Sequence, residues 1–382
     1  MQSLITMMIR ILSLIALCTH LHAFTTSFSR NRNCVRLNVE QQEIDTASLE
    51  KCLYREYSSF FNPMEKSFYD NEVSFTDPMT TFTGIEKYQS NVDMLAGRTT
   101  LGSLLFKDAS IALHSITKPS KTKLISRWTL RVTVKVLPWS PTARFTGVSI
   151  YTLNSSGKVT KQDDYWDSVN LKEGDYSPVS LVEGVTDFLS QLKREAGAQT
   201  AAPELPYELL RRANRYEVRR YPSYLGAETV YNQRPEGYDR LGSYAGGSNT
   251  QSSRLPFFTP TLMTVRDTSE KRVKVMTWPM VYQSPGVPLA SVTSLPDPTI
   301  RRVTLLEKPS VVVAVTRFEI PATEPVVRGF TAQLMKDVES DGLVVNSRAR
   351  EGQCIVGQFD ALFSLNKRRN EVWVELDDHP WV

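Results

Sequence analysis

Six side chains in the first half of the sequence could do proton chemistry: Asp77, His114, Asp163, Asp164, Tyr165 and Asp167. A general acid or base needs a carboxyl or imidazole whose pKa an apolar surrounding has moved toward neutrality. In an extended strand, successive side chains alternate between faces. Asp163, Tyr165 and Asp167 then share one face, and Asp164 and Trp166 share the other. A tyrosine flanked by two carboxylates could relay a proton. The same pattern also describes a solvated sheet edge with Trp166 buried behind it. His114 stands alone and reads as a satisfied sheet residue, so no residue is assigned as catalytic.

Other chemistry is poorly represented. There is no GxxxxGK[ST] phosphate loop and no GxSxG nucleophile turn, and Gly242, Gly246 and Gly247 lack the flanking strand and helix of a dinucleotide loop. Past residue 39 only Cys52 and Cys354 remain, far apart and without partners at metal-ligand spacing. That argues against a disulfide framework and against zinc, and no metal site is expected. Asp377, Asp378 and His379 read as an exposed tail.

These residues sit behind a leader. Residues 1–39 hold four arginines and no acid, the first carboxylate being Glu40. The apolar run Ile11–Cys18 is too short to cross a bilayer but has the length of a signal-peptide core. After Ala23 comes a Ser-, Thr- and Arg-rich stretch, the composition of a transit peptide. Signal plus transit peptide predicts a plastid destination by a bipartite route; a secreted protein is the other reading of the same leader. Without residues 1–39 the 45 basic residues fall to 41, matching the 41 acidic ones. A neutral body has no electrostatic footprint for nucleic acid, which is excluded as a partner. No later segment is apolar enough to span a membrane.

The pattern of elements predicts an α+β protein of two domains, residues 40–196 and 207–382, joined by a linker at 197–206. Leu49, Leu53, Tyr57 and Phe60 form a helical stripe behind Asp45, and Asn62–Pro63 reads as the start of a second short helix. Strands follow at 104–116, 123–136, 144–153 and 158–169, the last two joined by the turn Asn154–Gly157. Leu181, Val185, Phe188, Leu189 and Leu192 make an amphipathic helix before the linker. In the second half, Pro222, Ser223, Ala227 and Thr229 recur as Pro309, Ser310, Ala314 and Thr316, each 87 positions on. The echo predicts two similar halves, each a strand, a helix and returning strands, with the helices at 238–244 and 325–340. Residues 285–298 form a Pro- and Ser-rich loop between strands that reads as a plain surface loop, with a lid over the cleft as the other reading.

From about Tyr207 onward the chain resembles the SOUL haem-binding family. The resemblance rests on Tyr216–Arg219 with Tyr221-Pro222, Ala245–Asn249, Leu255–Pro260, Val273–Pro279 and Arg368–Val374, in that order. It implies a distorted β-barrel carrying two helices, built from a duplicated unit, that binds haem or a related tetrapyrrole reversibly in an apolar cleft beside its first helix. Mapped onto this sequence, the cleft residues are Tyr238, Arg240, Leu241 and Tyr244, with the arginine placed to pair a propionate. Leu241 and Tyr244 are equally read as core. No histidine lies between Tyr207 and Asp378, which speaks against a His-ligated haem.

The first half resembles the ketosteroid-isomerase-like (nuclear-transport-factor-like) cone, a curved antiparallel sheet with helices. More narrowly it resembles a plastid domain of unknown function that precedes SOUL domains. The carrying residues are Asn71–Pro78, Phe82–Ile85, Arg127-Trp128, Phe145–Tyr151 and Asp164–Asp167. The two resemblances together imply a plastid tetrapyrrole carrier or buffer. They leave open an enzyme, or a partner of tetrapyrrole-metabolism enzymes, with the cone as pocket, and a lipid- or pigment-associated structural protein touching a plastid membrane surface.

Overall fold

The computed structural model describes residues 46–193, 202–267, 272–359 and 369–381; the predicted leader and positions 197–201 of the predicted linker lie outside these. From Glu43 onward the chain is one compact unit.

In the first half, α1 (Thr46–Ser58) buries Leu49, Cys52, Leu53, Glu56 and Tyr57, the i, i+3, i+4 face that its pattern dictates, with one acid on it. No helix starts at Asn62–Pro63. Residues 60–63 are turns and bends, and a single 3-10 turn, Lys66–Phe68, leads into β1 (Tyr69–Thr76). There follow β2 (Thr81–Thr83), α2 (Ile85–Leu95), α3 (Thr100–Leu105), β3 (Phe106–Ser120), β4 (Lys123–Val134), β5 (Thr142–Leu153) and β6 (Val159–Trp166). The sheet order is β2-β1-β6-β5-β4-β3, antiparallel except for the parallel β1–β6 pair. The β5–β6 turn closes as the sequence predicts: Asn154 Oδ1 accepts from Ser156 N and Lys158 N, both at 3.0 Å, and Gly157 adopts φ 77°. Gly147 lets β5 lie close against β6, because a Cβ there would sit 2.0 Å from the Tyr165 carbonyl oxygen. A two-residue ribbon, β7 (Leu171–Lys172) and β8 (Asp175–Tyr176), precedes α4 (Leu181–Gln191). A capping box between Ser180 and Glu183 starts α4.

The second half opens with β9 (Glu208–Arg212), β10 (Glu217–Tyr221), β11 (Tyr224–Val230) and α5 (Arg234–Ala245). Then come β12 (Thr261–Asp267), β13 (Arg272–Tyr282), β14 (Val303–Lys308), β15 (Val311–Phe318), α6 (Glu324–Ser340), β16 (Val344–Val345), α7 (Ser347–Arg350), β17 (Cys354–Gln358) and β18 (Asn370–Asp378). They build a curled antiparallel half-barrel in the order β14-β11-β13-β12-β17-β18-β15-β10-β9, with β16 added on β18. Strand alternation splits its core. On β15, Val312, Ala314 and Phe318 pack in the large cluster that holds Leu241, Leu334 and Val338 of the helices, while Val313 and Val315 join Tyr221 and Trp373 on the other face.

The echo at 87 residues has a structural counterpart. β10-β11-α5 and β14-β15-α6 are equivalent units, each with a Pro-Ser break between its strands, and β10 pairs β15 while β11 pairs β14. The two breaks touch: Ser310 N donates to Ser223 Oγ at 3.0 Å. Residues 202–206, the described part of the predicted linker, are held by the second half. Leu205 is fully buried, its N–H donates to Thr259 O at 2.7 Å, and Thr259 N donates to Pro203 O at 2.8 Å.

Candidate functional site

The inner face of the first sheet carries a row of polar side chains set by register: Ser126 opposite Ser149, Ser149 opposite Asp164, and Tyr151 opposite Gln162. Tyr57 from α1 drops its hydroxyl onto this row, 2.9 Å from both Ser126 Oγ and Tyr151 Oη. Trp128 Nε1 donates to Ser149 Oγ at 2.8 Å, Gln162 Nε2 donates to Asp164 Oδ1 at 2.8 Å, and Tyr88 Oη donates to Gln162 Oε1. Around them Tyr57, Phe61, Tyr69, Phe75, Phe82 and Tyr88 pack ring against ring. Two carboxyls in this interior face no cation among the described residues. Burial pushes Asp164 up to about 7, and it pushes Glu56, which accepts from Tyr69 Oη at 2.6 Å and Glu65 N at 2.6 Å, also to about 7.

The consequence for stability has a definite sign. A carboxyl whose folded pKa exceeds its unfolded value holds its proton in the folded state, so its contribution falls as pH rises from about 4 to about 7. Asp164→Asn is therefore expected to raise stability at pH 8 by roughly 1–3 kcal/mol. The gain should vanish by pH 4, as read by urea melts across that range. A penalty at pH 8 would show that the ionised carboxylate is stabilising.

Of the six sequence candidates, Asp163 and Asp167 do not converge on Tyr165. Asp163 pairs with Lys161 at 2.7 Å, and Tyr165 is half-buried against the ring of Tyr176. Asp77 folds onto its own loop, accepting from Met79 N at 2.7 Å and Thr80 N at 2.6 Å, and burial raises it to about 6. His114 Nε2 lies 2.8 Å from Thr129 Oγ1, and burial lowers its pKa. Asp167 is fully buried and accepts from Tyr176 Oη and, at 2.6 Å, from Thr146 Oγ1.

Asp167 belongs to the join between the halves. On the outer face of the first sheet, Thr129 and Thr146 stand opposite one another, and β9 lies across them. Thr129 Oγ1 donates to Leu209 O at 2.8 Å, and Arg212 N donates to Thr146 Oγ1 at 2.7 Å. An otherwise open sheet edge is thereby covered by the neighbouring half. Arg212 also forks onto Asp187 of α4, with both bonds at 2.9 Å. Trp381 is buried with the guanidinium of Arg127 at 5.6 Å and that of Arg211 at 5.1 Å from its ring.

In the second half, the four cleft residues implied by the resemblance lie on α5. Leu241 and Tyr244 are fully buried, and Tyr244 Oη donates to Pro296 O at 2.8 Å, pinning the 285–298 loop to the helix. Arg240 lies on the rim, paired with Glu236 and donating to Val230 O at 2.6 Å. Tyr238 is partly buried, its ring edge-on to Trp278 at 6.3 Å, and Phe257 stacks on Trp278 at 4.3 Å. Gly242 lies over the same indole, where a Cβ would still be 3.9 Å away. The indole N–H of Trp278 is buried with no hydrogen-bond partner among the described residues. Sequence reasoning gave Trp278 and Phe257 no role in the site. They come together from β13 and the 246–260 loop, a contact that no local spacing announces.

Compared with known families, residues 202–375 match the SOUL heme-binding protein and residues 47–162 an uncharacterized conserved protein (DUF2358). The second half is a SOUL domain. Comparison with curated proteins gives no match. Among solved structures, an NTF2-like protein of unknown function from an Exiguobacterium species is 17% identical, covers 30% of this chain and 98% of its own, and has a TM-score of 0.24. An NTF2-like protein from Burkholderia thailandensis is 9% identical over 32% of this chain and 92% of its own, at TM-score 0.28. A Mycobacterium tuberculosis protein in complex with estradiol-17beta-hemisuccinate is 13% identical over 31% and 89%, at TM-score 0.24.

Within the SOUL domain, Tyr238 and Phe257 are partly buried rings of the kind a flat macrocycle packs on. Trp278, against which both pack, is a core residue at 7% exposure, so its face and its N–H are reached only if those rings part. Iron is less well served. Met276, Met280 and Cys354 are all buried, with Cys354 Sγ turned toward Gly352 O at 3.7 Å. Among the described residues no group of three or more His, Cys, Asp or Glu could hold a metal ion, and no helix is long and apolar enough to cross a membrane.

Proposed function

We propose that this chain binds haem or a related tetrapyrrole reversibly and serves as a plastid carrier or buffer for it. The SOUL domain over residues 202–375 is the observation that carries this reading. The ligand would lie beside α5, against Tyr238, Trp278 and Phe257, with Arg240 exchanging Glu236 for a propionate. Leu241 and Tyr244 would form the wall behind, reached when α5 and the loop at Pro296 move apart. A site that offers rings but no exposed sulfur or imidazole holds its ligand by apolar contact, and such a ligand leaves readily. That is the property a carrier needs. The leader supports a plastid destination, in the stroma or at a membrane surface, near enzymes that make or consume tetrapyrroles.

Transfer tests the carrier role. Haemin-loaded protein mixed with excess apomyoglobin should give up its haemin completely within minutes. Retention for hours would contradict a carrier. The near-neutral carboxyl of Asp164 favours a second reading, a proton-transfer role for the first half in tetrapyrrole turnover. In that case Asp164→Asn would abolish conversion of the bound pigment while leaving its binding unchanged.

A further inference from the structure

Where the halves meet, a half-open groove of about 780 Å³ lies between Trp139, Arg144 and Lys193 of the first half and Tyr207, Arg212 and Arg219 of the second. Its second-half wall is a ladder of ions. Glu371, with no exposed side-chain surface, is bracketed by Arg219 at 3.0 Å and Arg369 at 2.9 Å, which pair outward with Glu217 at 2.6 Å and Glu204 at 2.8 Å. Arg212 is matched by Asp187. Across the groove the charges are not matched. Among the described residues, the Arg144 guanidinium donates only to the Tyr207 hydroxyl, at 3.0 Å, and neither Arg144 nor Lys193 has a carboxylate within 4.0 Å. Arg144 is half-buried, and its backbone N–H is held by Gln191 Oε1 at 2.8 Å, so the cation is presented from a fixed point. A guanidinium kept from water beside other cations gains by meeting an anion.

We propose that this groove is a binding site for a small hydrophilic polyanion, an organic acid or phosphate compound with at least two negative groups, anchored by Arg144 and Lys193. The volume is that of a small-molecule site. The walls are mostly charged, so an apolar macrocycle would strand ions there, and the groove does not compete with the cleft at α5. Because both halves line it, occupancy ties them together and raises the melting temperature by mass action.

Calorimetric titration of the purified protein with citrate in one arm and inorganic pyrophosphate in the other tests the site and separates carboxylate from phosphate chemistry. Saturable binding with a Kd at or below about 1 mM is expected in at least one arm. Arg144→Gln with Lys193→Gln should weaken it at least tenfold, and Arg144→Lys should retain most of it. Arg348→Gln, at an exposed cation paired with Glu375 outside the groove, should change nothing. The double variant should melt like the parent without anion, and haemin binding should be unaffected. Absence of saturable binding in both arms, or equal binding by the double variant, would overturn the proposal.

Discussion

Replacing Asp167 with Ala is expected to cost about 3–5 kcal/mol, as removing one member of a buried ion cluster does. The carboxylate has no exposed surface, and it is the only acid contacting Arg127 (3.6 Å) among the described residues. Arg211, itself 4% exposed, also draws on its field. Without it, two guanidiniums stay packed around Trp381 with no counter-charge among the described residues, where Arg127 Nη1 and Arg211 Nε already lack hydrogen-bond partners. The loss also breaks the chain that runs from Arg212 N through Thr146 Oγ1 to Asp167 Oδ2 and fastens β9 to the first sheet. Calorimetry should show the melting temperature lowered and one cooperative transition split into two. A single transition within a few degrees of the parent would mean that the join does not depend on this acid.

Glu371→Ala should be comparably damaging, about 3–5 kcal/mol in urea melts. Glu371 accepts from Arg219, Arg369 and, at 3.1 Å, from Trp373 Nε1, with no exposed side-chain surface. Its neighbour Glu217 binds the same Arg219 but is 27% exposed, so water replaces much of what Glu217→Ala removes. That variant should lose about 1 kcal/mol or less. Equal losses from the two would contradict the assignment of Glu371 as the keystone of the ladder.

Strand periodicity made much of the fold legible beforehand. The runs at 123–136 and 144–153 correspond to β4 and β5, and the turn at Asn154–Gly157 closes as its residue types require. The offset of 87 located the repeated unit, because Pro-Ser breaks interrupt both copies at the same point. Alternation also divided Asp163, Tyr165 and Asp167 from Asp164 and Trp166, as their partners now show. It could not say which face is the interior. Asp164 faces the aromatic interior because α1 and α2 close that side of the sheet, and Asp167 is buried because β9, some forty residues on, lies across the other.

The candidate site was less legible for the same reason. The family resemblance placed Tyr238, Leu241 and Tyr244 on the helix that is α5, but a carried-over helix does not say whether core or ligand covers each of its residues. Tertiary packing puts Leu241, Tyr244 and Trp278 in the core and brings the partly buried Tyr238 and Phe257 against Trp278. The buried Glu56 escaped notice because an acid on a helical stripe reads as surface until Tyr69 and the Glu65 N–H are seen to receive it.

Haemin titration tests the central claim most directly. Added to the purified protein, haemin should give a saturable Soret shift at micromolar concentration with one equivalent bound. Trp278→Ala, which removes the middle ring of the three beside α5, should weaken binding at least tenfold, and Arg240→Gln should weaken it less. No saturable shift at micromolar haemin would contradict the tetrapyrrole reading. Binding that is saturable but unchanged in Trp278→Ala would contradict only its placement beside α5.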